Sequence, residues 1–98
     1  MLISLQPSDK GVVIVLKGRL DSVTSPAAQT ELENHIVNSS GPVTICCEGL
    51  DYLSSAGLRV LLCIAKGRRQ MTLRGVQGNV REVIEISGFS RLFYIQHG

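Results

Sequence analysis

Residues 43–58 most constrain the fold, because an apolar strand pattern leads directly into a helical pattern there. Val43-Thr44-Ile45-Cys46-Cys47 is a short apolar run that is expected to end before Glu48-Gly49, as a buried strand does. Downstream, apolar residues recur at helical spacing at Leu58, Leu61, Leu62 and Ala65. A strand that leads so closely into a helix predicts one crossover unit of a partly parallel sheet.

The rest of the chain continues this alternation of strands and helices. The predicted elements are strands over 2–5 and 12–16, a helix opened by Ser25-Pro26, the strand over 43–47, a helix over 55–66, a strand over 71–74, a helix capped by Asn79 and closed by Ser87-Gly88, and a strand over 92–95. This order predicts an α/β fold with helices packed on a single mixed sheet of about five strands. The 98 residues are expected to form one domain, residues 1–98, since they suffice for one modest core.

Apolar residues at inward strand and helix positions predict the core. Its predicted members are Val13, Val15, Ile45, Leu58, Leu61, Leu62, Val83 and Ile84. The strand register is open by one residue, and such a slip moves every side chain to the other face. Cys46, Cys47 and Cys63 lie in predicted core elements, so we expect reduced thiols that act as small hydrophobic residues.

Several classes of function lack the residues that they need. The sequence contains no glycine-rich phosphate loop, metal-ligand cluster or nucleophile elbow, so neither an enzyme nor a cofactor is predicted. His35 and His97 have no partners at the spacing of a catalytic triad and are expected to be exposed. Arg68-Arg69 has no interleaved aromatic residues, so a stacking site for nucleic acid is not supported.

Charge and hydropathy narrow the choice of partner further. Residues 1–55 carry three basic and six acidic side chains, whereas residues 56–98 carry seven and two. Such polarity can orient a protein partner, and it is also common on solvated surfaces. No apolar run approaches the roughly 20 residues that cross a bilayer, and no signal peptide is visible. Membrane insertion is therefore not predicted, and a cytoplasmic location is.

Two hydroxyl side chains stand at the start of the predicted helix over 55–66. Ser54 or Ser55 is expected at or beside the N-cap, where a side-chain oxygen accepts a free backbone N–H. A phosphate attached there would meet unpaired N–H groups and the positive end of the helix dipole. One serine suffices for a cap, and a cap alone accounts neither for Asp51 nor for the small pair Ala56-Gly57.

The segment Leu50-Asp51-Tyr52-Leu53-Ser54-Ser55-Ala56-Gly57-Leu58 resembles the regulatory loop of STAS domains. That family includes the bacterial anti-sigma factor antagonists. The resemblance covers nearly the whole chain, since the N-terminal hairpin, Gly18-Arg19-Leu20-Asp21, the strand over 43–47 and the closing segment 86–93 follow in the family's order and spacing. It implies the STAS fold.

The resemblance also implies roles for individual residues. Ser55 matches the serine that is phosphorylated in the antagonists, and Ser54, which stands where many members have Asp, is the alternative acceptor. The implied partner-binding residues are Asp21, Asp51, Ser54, Ser55, Ala56 and Gly57. Asp21 could instead form a turn after a strand, and Asp51 could orient the loop or bond the turn backbone. Gly57 could permit close approach of a partner or tight packing of helix on sheet.

The function implied by the resemblance is partner switching. The unphosphorylated antagonist would bind an anti-sigma factor that is also a serine-protein kinase and would release the sigma factor. Phosphorylation would end the complex, and a serine phosphatase would reset the switch. The alternative is a STAS module without a phosphorylation switch, acting as a subunit of a transporter or sensory complex. An enzymatic role is a third possibility only because a nucleotide has been proposed to bind some members.

Overall fold

The computed structural model describes residues 1–8, 11–37, 42–65, 71–88 and 94–96. Within these ranges the chain forms five strands and three helices in the predicted order. They are β1 (Leu2–Ser8), β2 (Gly11–Leu20), α1 (Ser25–Val37), β3 (Val43–Leu53), α2 (Ser55–Ala65), β4 (Met71–Arg74), α3 (Gly78–Ser87) and β5 (Tyr94–Gln96). The predictions for the helix end at residue 66, the Arg68-Arg69 pair, strand residues 92–93 and His97 lie outside the described residues.

The five strands form one mixed sheet in the order β1-β2-β3-β4-β5. β1 and β2 are antiparallel neighbours, as expected for two strands joined by a short connection. The pairs β2–β3, β3–β4 and β4–β5 are parallel, and a helix connects each of them. The predicted mixed sheet of about five strands is confirmed.

The core lies on the face of the sheet that the helices cover, and here the predicted register of β2 was wrong by one residue. Val12, Ile14 and Leu16 are buried, whereas Val13 and Val15 are only partly buried on the opposite face. The predicted core residues Ile45, Leu58, Leu61 and Ile84 are buried, and Leu62 and Val83 pack against the core from its margin. A run of five apolar residues has no alternation to mark its inward side, which is the physical reason for the slip.

β2 and β3 both run further than the sequence pattern indicates. β3 passes through Glu48-Gly49 by means of register shifts against β2, where Lys17 pairs with Gly49. A Cβ on Gly49 would lie 2.8 Å from the Lys17 Cγ, so glycine permits close approach here instead of ending the strand. The two strands therefore end side by side, with Leu20 paired to Leu53.

The cysteines divide between the core and the surface. Cys46 and Cys47 are buried as predicted, and burial, with a smaller contribution from Cys46, raises the pKa of the Cys47 thiol to about 12. Cys63 is exposed, so its predicted core position was wrong. Ile86, an apolar residue of α3, is also exposed.

The ends of α1 and α3 agree only in part with the predicted ones. Ser25 is the first residue of α1, and its hydroxyl donates to the Asp21 carbonyl oxygen. The residue that precedes α3 is Gln77, which makes no side-chain cap bond, so the prediction that Asn79 caps this helix was wrong. Gly88 ends α3 in the left-handed conformation, with φ 78°, as the predicted closure at Ser87-Gly88 requires.

Candidate functional site

The paired ends of β2 and β3 form the base of the candidate site. The Leu20 carbonyl oxygen accepts a hydrogen bond from the Ser54 N–H at 3.0 Å. It also lies 3.4 Å from the Ser54 hydroxyl oxygen. These contacts join two segments 34 residues apart, so the chain leaving β3 is held against the end of β2 just before α2 begins.

Ser54 is the N-cap of α2. Its Oγ accepts the Gly57 N–H at 3.2 Å, and its carbonyl oxygen accepts the Leu58 N–H at 2.8 Å. This is the pattern by which a cap residue satisfies the free donors of a first helical turn. The structure thus assigns the capping role, which the sequence left open between two serines, to Ser54.

Ser55 is the first residue of α2, and its side chain is exposed. Its hydroxyl has no hydrogen-bond partner among the described residues. Ser54, by contrast, is only partly exposed and its hydroxyl is engaged. Of the two adjacent hydroxyls, the one on Ser55 is therefore free to meet another molecule.

Asp21 organises the turn between β2 and α1. Its Oδ1 accepts the Val23 N–H at 2.9 Å and the Thr24 N–H at 3.1 Å. The Asp21 N–H donates in return to the Thr24 hydroxyl at 3.0 Å, and that hydroxyl donates to the Arg19 carbonyl oxygen at 2.8 Å. This geometry is that of the turn-forming aspartate, one of the two roles expected of it, beside the loop that leads into α2.

The same contacts set the charge of Asp21. The backbone N–H of Thr24 is the largest cause that holds the pKa of the Asp21 carboxyl below its ordinary value. Partial burial opposes this effect, and the Val23 N–H, the Thr24 hydroxyl and the Arg19 charge reinforce it. Arg19 Nε lies 3.6 Å from Asp21 Oδ2. The Cζ of the same guanidinium lies 4.3 Å from the centroid of the Tyr52 ring. A fixed carboxylate thus lies at this end of the sheet.

Gly57 and Ala56 differ in what surrounds them. Gly57 is buried, and a Cβ added to it would lie 2.4 Å from the Leu20 carbonyl oxygen and 2.9 Å from Leu53 Cδ1. Only glycine lets α2 approach the strand ends this closely, so the tight-packing role is the one that the geometry supports. Ala56 is half-buried.

Asp51 lies on β3, and its side chain is exposed. No hydrogen bond joins its carboxylate to the turn backbone within the described part of the chain. The expected bond to the turn backbone is therefore not observed, and the carboxylate faces solvent.

Asn79 is a structural member of the site that the sequence pattern misplaced. Its side-chain oxygen accepts the Leu53 N–H at 2.8 Å, which ties the first turn of α3 to the end of β3. The two residues are 26 positions apart, so no local pattern could reveal the contact. The only signal in the sequence was an asparagine directly after Gly78, and that pattern predicted a helix cap instead of this contact.

A shallow groove lies between α2 and α3 beside the free hydroxyl. Its lining residues are Ser55, Leu58, Arg59, Leu62 and Ser87.

His35, which was predicted to be exposed and not catalytic, is half-buried on α1. Its Nε2 lies 3.6 Å from Glu31 Oε2, so the side chain is less exposed than predicted. Among the described residues, no group of three His, Cys, Asp or Glu side chains could hold a metal ion.

Comparison with known proteins identifies the family. The family model of the STAS domain matches residues 3–97. A protein of Bordetella bronchiseptica named as a putative anti-sigma factor antagonist, BtrV, is 35% identical over 97 residues, covering 95% of this chain and 84% of the relative.

Two solved structures share the fold at lower identity. The crystal structure of an anti-sigma factor antagonist from Mycobacterium paratuberculosis superposes with a TM-score of 0.87 at 20% identity, covering 97% of this chain and 84% of that one. The anti-sigma factor antagonist SpoIIAA in its unphosphorylated form gives a TM-score of 0.77 at 20% identity, covering 96% and 87%. No helix within the described ranges is long and apolar enough to span a membrane. The chain has a mixed sheet and a helix α2 capped by Ser54, and the family model matches almost its full length. The chain therefore belongs to the STAS domain family.

Proposed function

We propose that this protein is an anti-sigma factor antagonist. The name of the Bordetella relative, which is 35% identical over almost the whole chain, supports this function. The fold is also that of two antagonists of known structure. In this function the protein binds an anti-sigma factor and thereby releases a sigma factor in the cytoplasm.

The exposed hydroxyl of Ser55 is the observation that carries the proposed switch. Ser55 stands where a kinase can reach it, and its hydroxyl has no partner among the described residues. The neighbouring Ser54 hydroxyl is already committed to Gly57. The anti-sigma factor acts as the serine kinase: Ser55 Oγ forms a bond to the γ-phosphorus of ATP, ADP leaves, and the hydroxyl proton passes to a base of the kinase. The chain itself then needs no catalytic group.

Phosphorylation changes the electrostatics of the contact surface. A phosphate adds roughly −1.5 to −2 charges at neutral pH. An unmatched charge in a desolvated interface costs several kcal/mol, which weakens binding by orders of magnitude. Asp21 and Asp51 already contribute negative charge to this end of the sheet, and in this proposal Ala56 lies with them in the contact surface. A serine phosphatase would restore binding.

Phosphorylation by the cognate kinase tests this function. The purified protein is incubated with the anti-sigma factor of its own genome and ATP, and the phosphate is mapped by mass spectrometry in wild type, Ser55→Ala and Ser54→Ala. We expect modification of wild type and Ser54→Ala at Ser55, and none in Ser55→Ala. Modification of Ser54 alone would overturn the assignment. Binding without any phosphorylation would favour a STAS module that lacks the switch.

A further inference from the structure

We propose that Arg59 is the internal ligand of a phosphate on Ser55. The inference rests on the proposed function, because it takes Ser55 as the phosphate acceptor. In the unphosphorylated protein Arg59 is a cation beside the Ser55 hydroxyl, with no ion-pair partner among the described residues. In the phosphorylated protein the guanidinium holds the phosphate within the same groove.

Helix geometry brings the two side chains together. Ser55 and Arg59 are four residues apart in α2 and line the same groove. Residues at this spacing are neighbours on a helix surface, and long side chains lean toward the N-terminus of the helix. We therefore expect the Arg59 side chain to lean toward Ser55. An acidic group four residues before a basic one is also the more favourable order for an ion pair in a helix.

Arg59 is available for this contact. It is exposed, and it is the one charged residue of α2. No ion pair joins it to any other described residue, whereas Arg19 pairs with Asp21 and Arg81 pairs with Glu85 at 3.0 Å. The guanidinium can therefore bind a new anion without losing a partner in the described part of the chain.

The groove offers surroundings in which such a pair is stable. Leu58 is buried and Leu62 is half-buried in its lining, so the aliphatic part of Arg59 has apolar surface to cover. The remaining polar lining residue, Ser87, donates its hydroxyl to the Ile84 carbonyl oxygen at 2.8 Å. Arg59 is thus the cation of this lining, and a guanidinium can bind two phosphate oxygens at once.

The pairing changes what a partner meets at the groove. Before phosphorylation the groove lining presents the positive charge of Arg59. Afterwards a phosphate of about −1.5 to −2 charges meets that single positive charge, so the net sign becomes negative. The modification therefore also withdraws a cation that an acidic group of the partner could otherwise contact.

The test measures the second pKa of the phosphate directly. Phosphoserine is installed at position 55 during translation, so the sample does not depend on any kinase, and the phosphorus NMR shift is titrated in the otherwise wild-type chain and in Arg59→Gln. We expect the phosphate pKa to be lower in the chain that retains Arg59 than in Arg59→Gln by about 0.3 of a pH unit or more, the size of an exposed helical ion pair. The difference should shrink in about 1 M salt, and Arg59→Lys should retain part of it.

Two controls make the result specific. Arg81→Gln removes an arginine that is already paired on α3 and should leave the phosphate pKa unchanged. The helix N-terminus, Asp21 and Asp51 act equally in all the chains, so their effects cancel in the comparison, and circular dichroism confirms that each variant is folded. Equal phosphate pKa values in the chain with Arg59 and in Arg59→Gln, or an equal shift in Arg81→Gln, would overturn the proposal. Absence of phosphorylation by the kinase would instead contradict the proposed function and leave this measurement intact.

Discussion

Two adjacent serines differ in their surroundings at the start of α2. Ser54 caps the helix through its bond to the Gly57 N–H, whereas the Ser55 hydroxyl is exposed and free of partners among the described residues. A single hydroxyl that both capped the helix and accepted a phosphate would lose its cap bond on modification. If Ser55 is the acceptor, as proposed, the cap bond of Ser54 is retained on modification.

Substitution of each serine by alanine tests this difference. Ser54→Ala removes the cap and should lower the free energy of unfolding by about 1 kcal/mol. Ser55→Ala removes an exposed hydroxyl and should change it by less than about 0.5 kcal/mol. Urea unfolding of both variants measures the difference. Equal losses, or a larger loss for Ser55→Ala, would contradict the assignment of the cap.

Asp21 links the fold to pH, and the sign follows from its hydrogen bonds. The N–H groups of Thr24 and Val23 favour the charged carboxylate, so its pKa is lower in the folded than in the unfolded chain. Its stabilisation is therefore present above the unfolded pKa of about 3.9 and is lost as the pH falls through the lower folded value.

Asp21→Asn should weaken the dependence of stability on acid pH. Unfolding by urea is measured from about pH 7 down to about pH 3, which spans the unfolded pKa of a carboxyl. Between neutral pH and the acid limb, wild type should lose more stability than the variant, because the amide has no proton to gain. Other carboxyl groups act in both proteins, so the difference between the two curves isolates Asp21. Parallel curves would show that the turn does not lower this pKa.

The sequence identified candidate residues of the site, but it could not reveal their long-range contacts. Local pattern marked the two serines and the Ala56-Gly57 pair, whereas the resemblance to the STAS family marked Asp21. Ser54, however, is also bonded to the Leu20 carbonyl oxygen, 34 residues away, and the bond between Asn79 and Leu53 spans 26 residues. Such contacts depend on the arrangement of strands, which no local window contains.

At the scale of elements, the first turn of α2 sits directly on the ends of two strands. Gly57 has no Cβ, and this absence lets the helix lie against the Leu20 carbonyl oxygen and the Leu53 side chain. The position of the helix start, and hence of Ser55, therefore depends on one glycine. A larger residue would push the helix outward or distort the strand end.

Gly57→Ala tests this dependence, because two effects oppose each other. Alanine favours a helix interior over glycine by about 1 kcal/mol, whereas overpacking costs about 1–3 kcal/mol. The added Cβ would lie 2.4 Å from a backbone oxygen, which cannot move as a flexible side chain can, so we expect a net loss of about 1 kcal/mol or more. Cys63→Ala, at an exposed position of α2, should stay within about 0.5 kcal/mol of wild type in the same urea titration. A stabilised Gly57→Ala would contradict the close approach.

The element order was predictable, but lengths and register were not. Each helix carried apolar residues at helical spacing, and each was found. In β2 the run Val12–Leu16 is apolar throughout, so nothing in it marked Val12 instead of Val13 as inward. In β3, Gly49 looked like a strand end because glycine usually interrupts strands, yet here it accommodates the Lys17 side chain.

At the scale of the molecule, the parallel part of the sheet brings the candidate site together. β2 and β3 are parallel neighbours whose ends are paired at Leu20 and Leu53. The segments that follow them, the Asp21 turn and the Ser54–Ser55 loop, therefore emerge side by side. Asn79 fastens the start of α3 to the same place. In the proposed function these bonds hold the backbone of the contact surface together, so we expect that rearrangement of the loop does not relieve a charge placed on Ser55.

Ser55→Asp should therefore weaken binding to the anti-sigma factor while the fold stays intact. Aspartate at the first position of a helix interacts favourably with the dipole, and Ser54 still caps α2, so the thermal midpoint should stay close to that of wild type. Even beside Arg59, the carboxylate would add negative charge that loses solvation against the partner, and this loss opposes the complex. Ser55→Ala adds no charge and should bind like wild type, even after treatment with kinase and ATP.

Titration calorimetry against the anti-sigma factor compares the affinities of the three proteins, and thermal melts compare their stabilities. Equal affinity of Ser55→Asp and wild type would argue against a charge-based switch, and lost binding in both variants with unchanged melts would mean that the hydroxyl itself makes the contact.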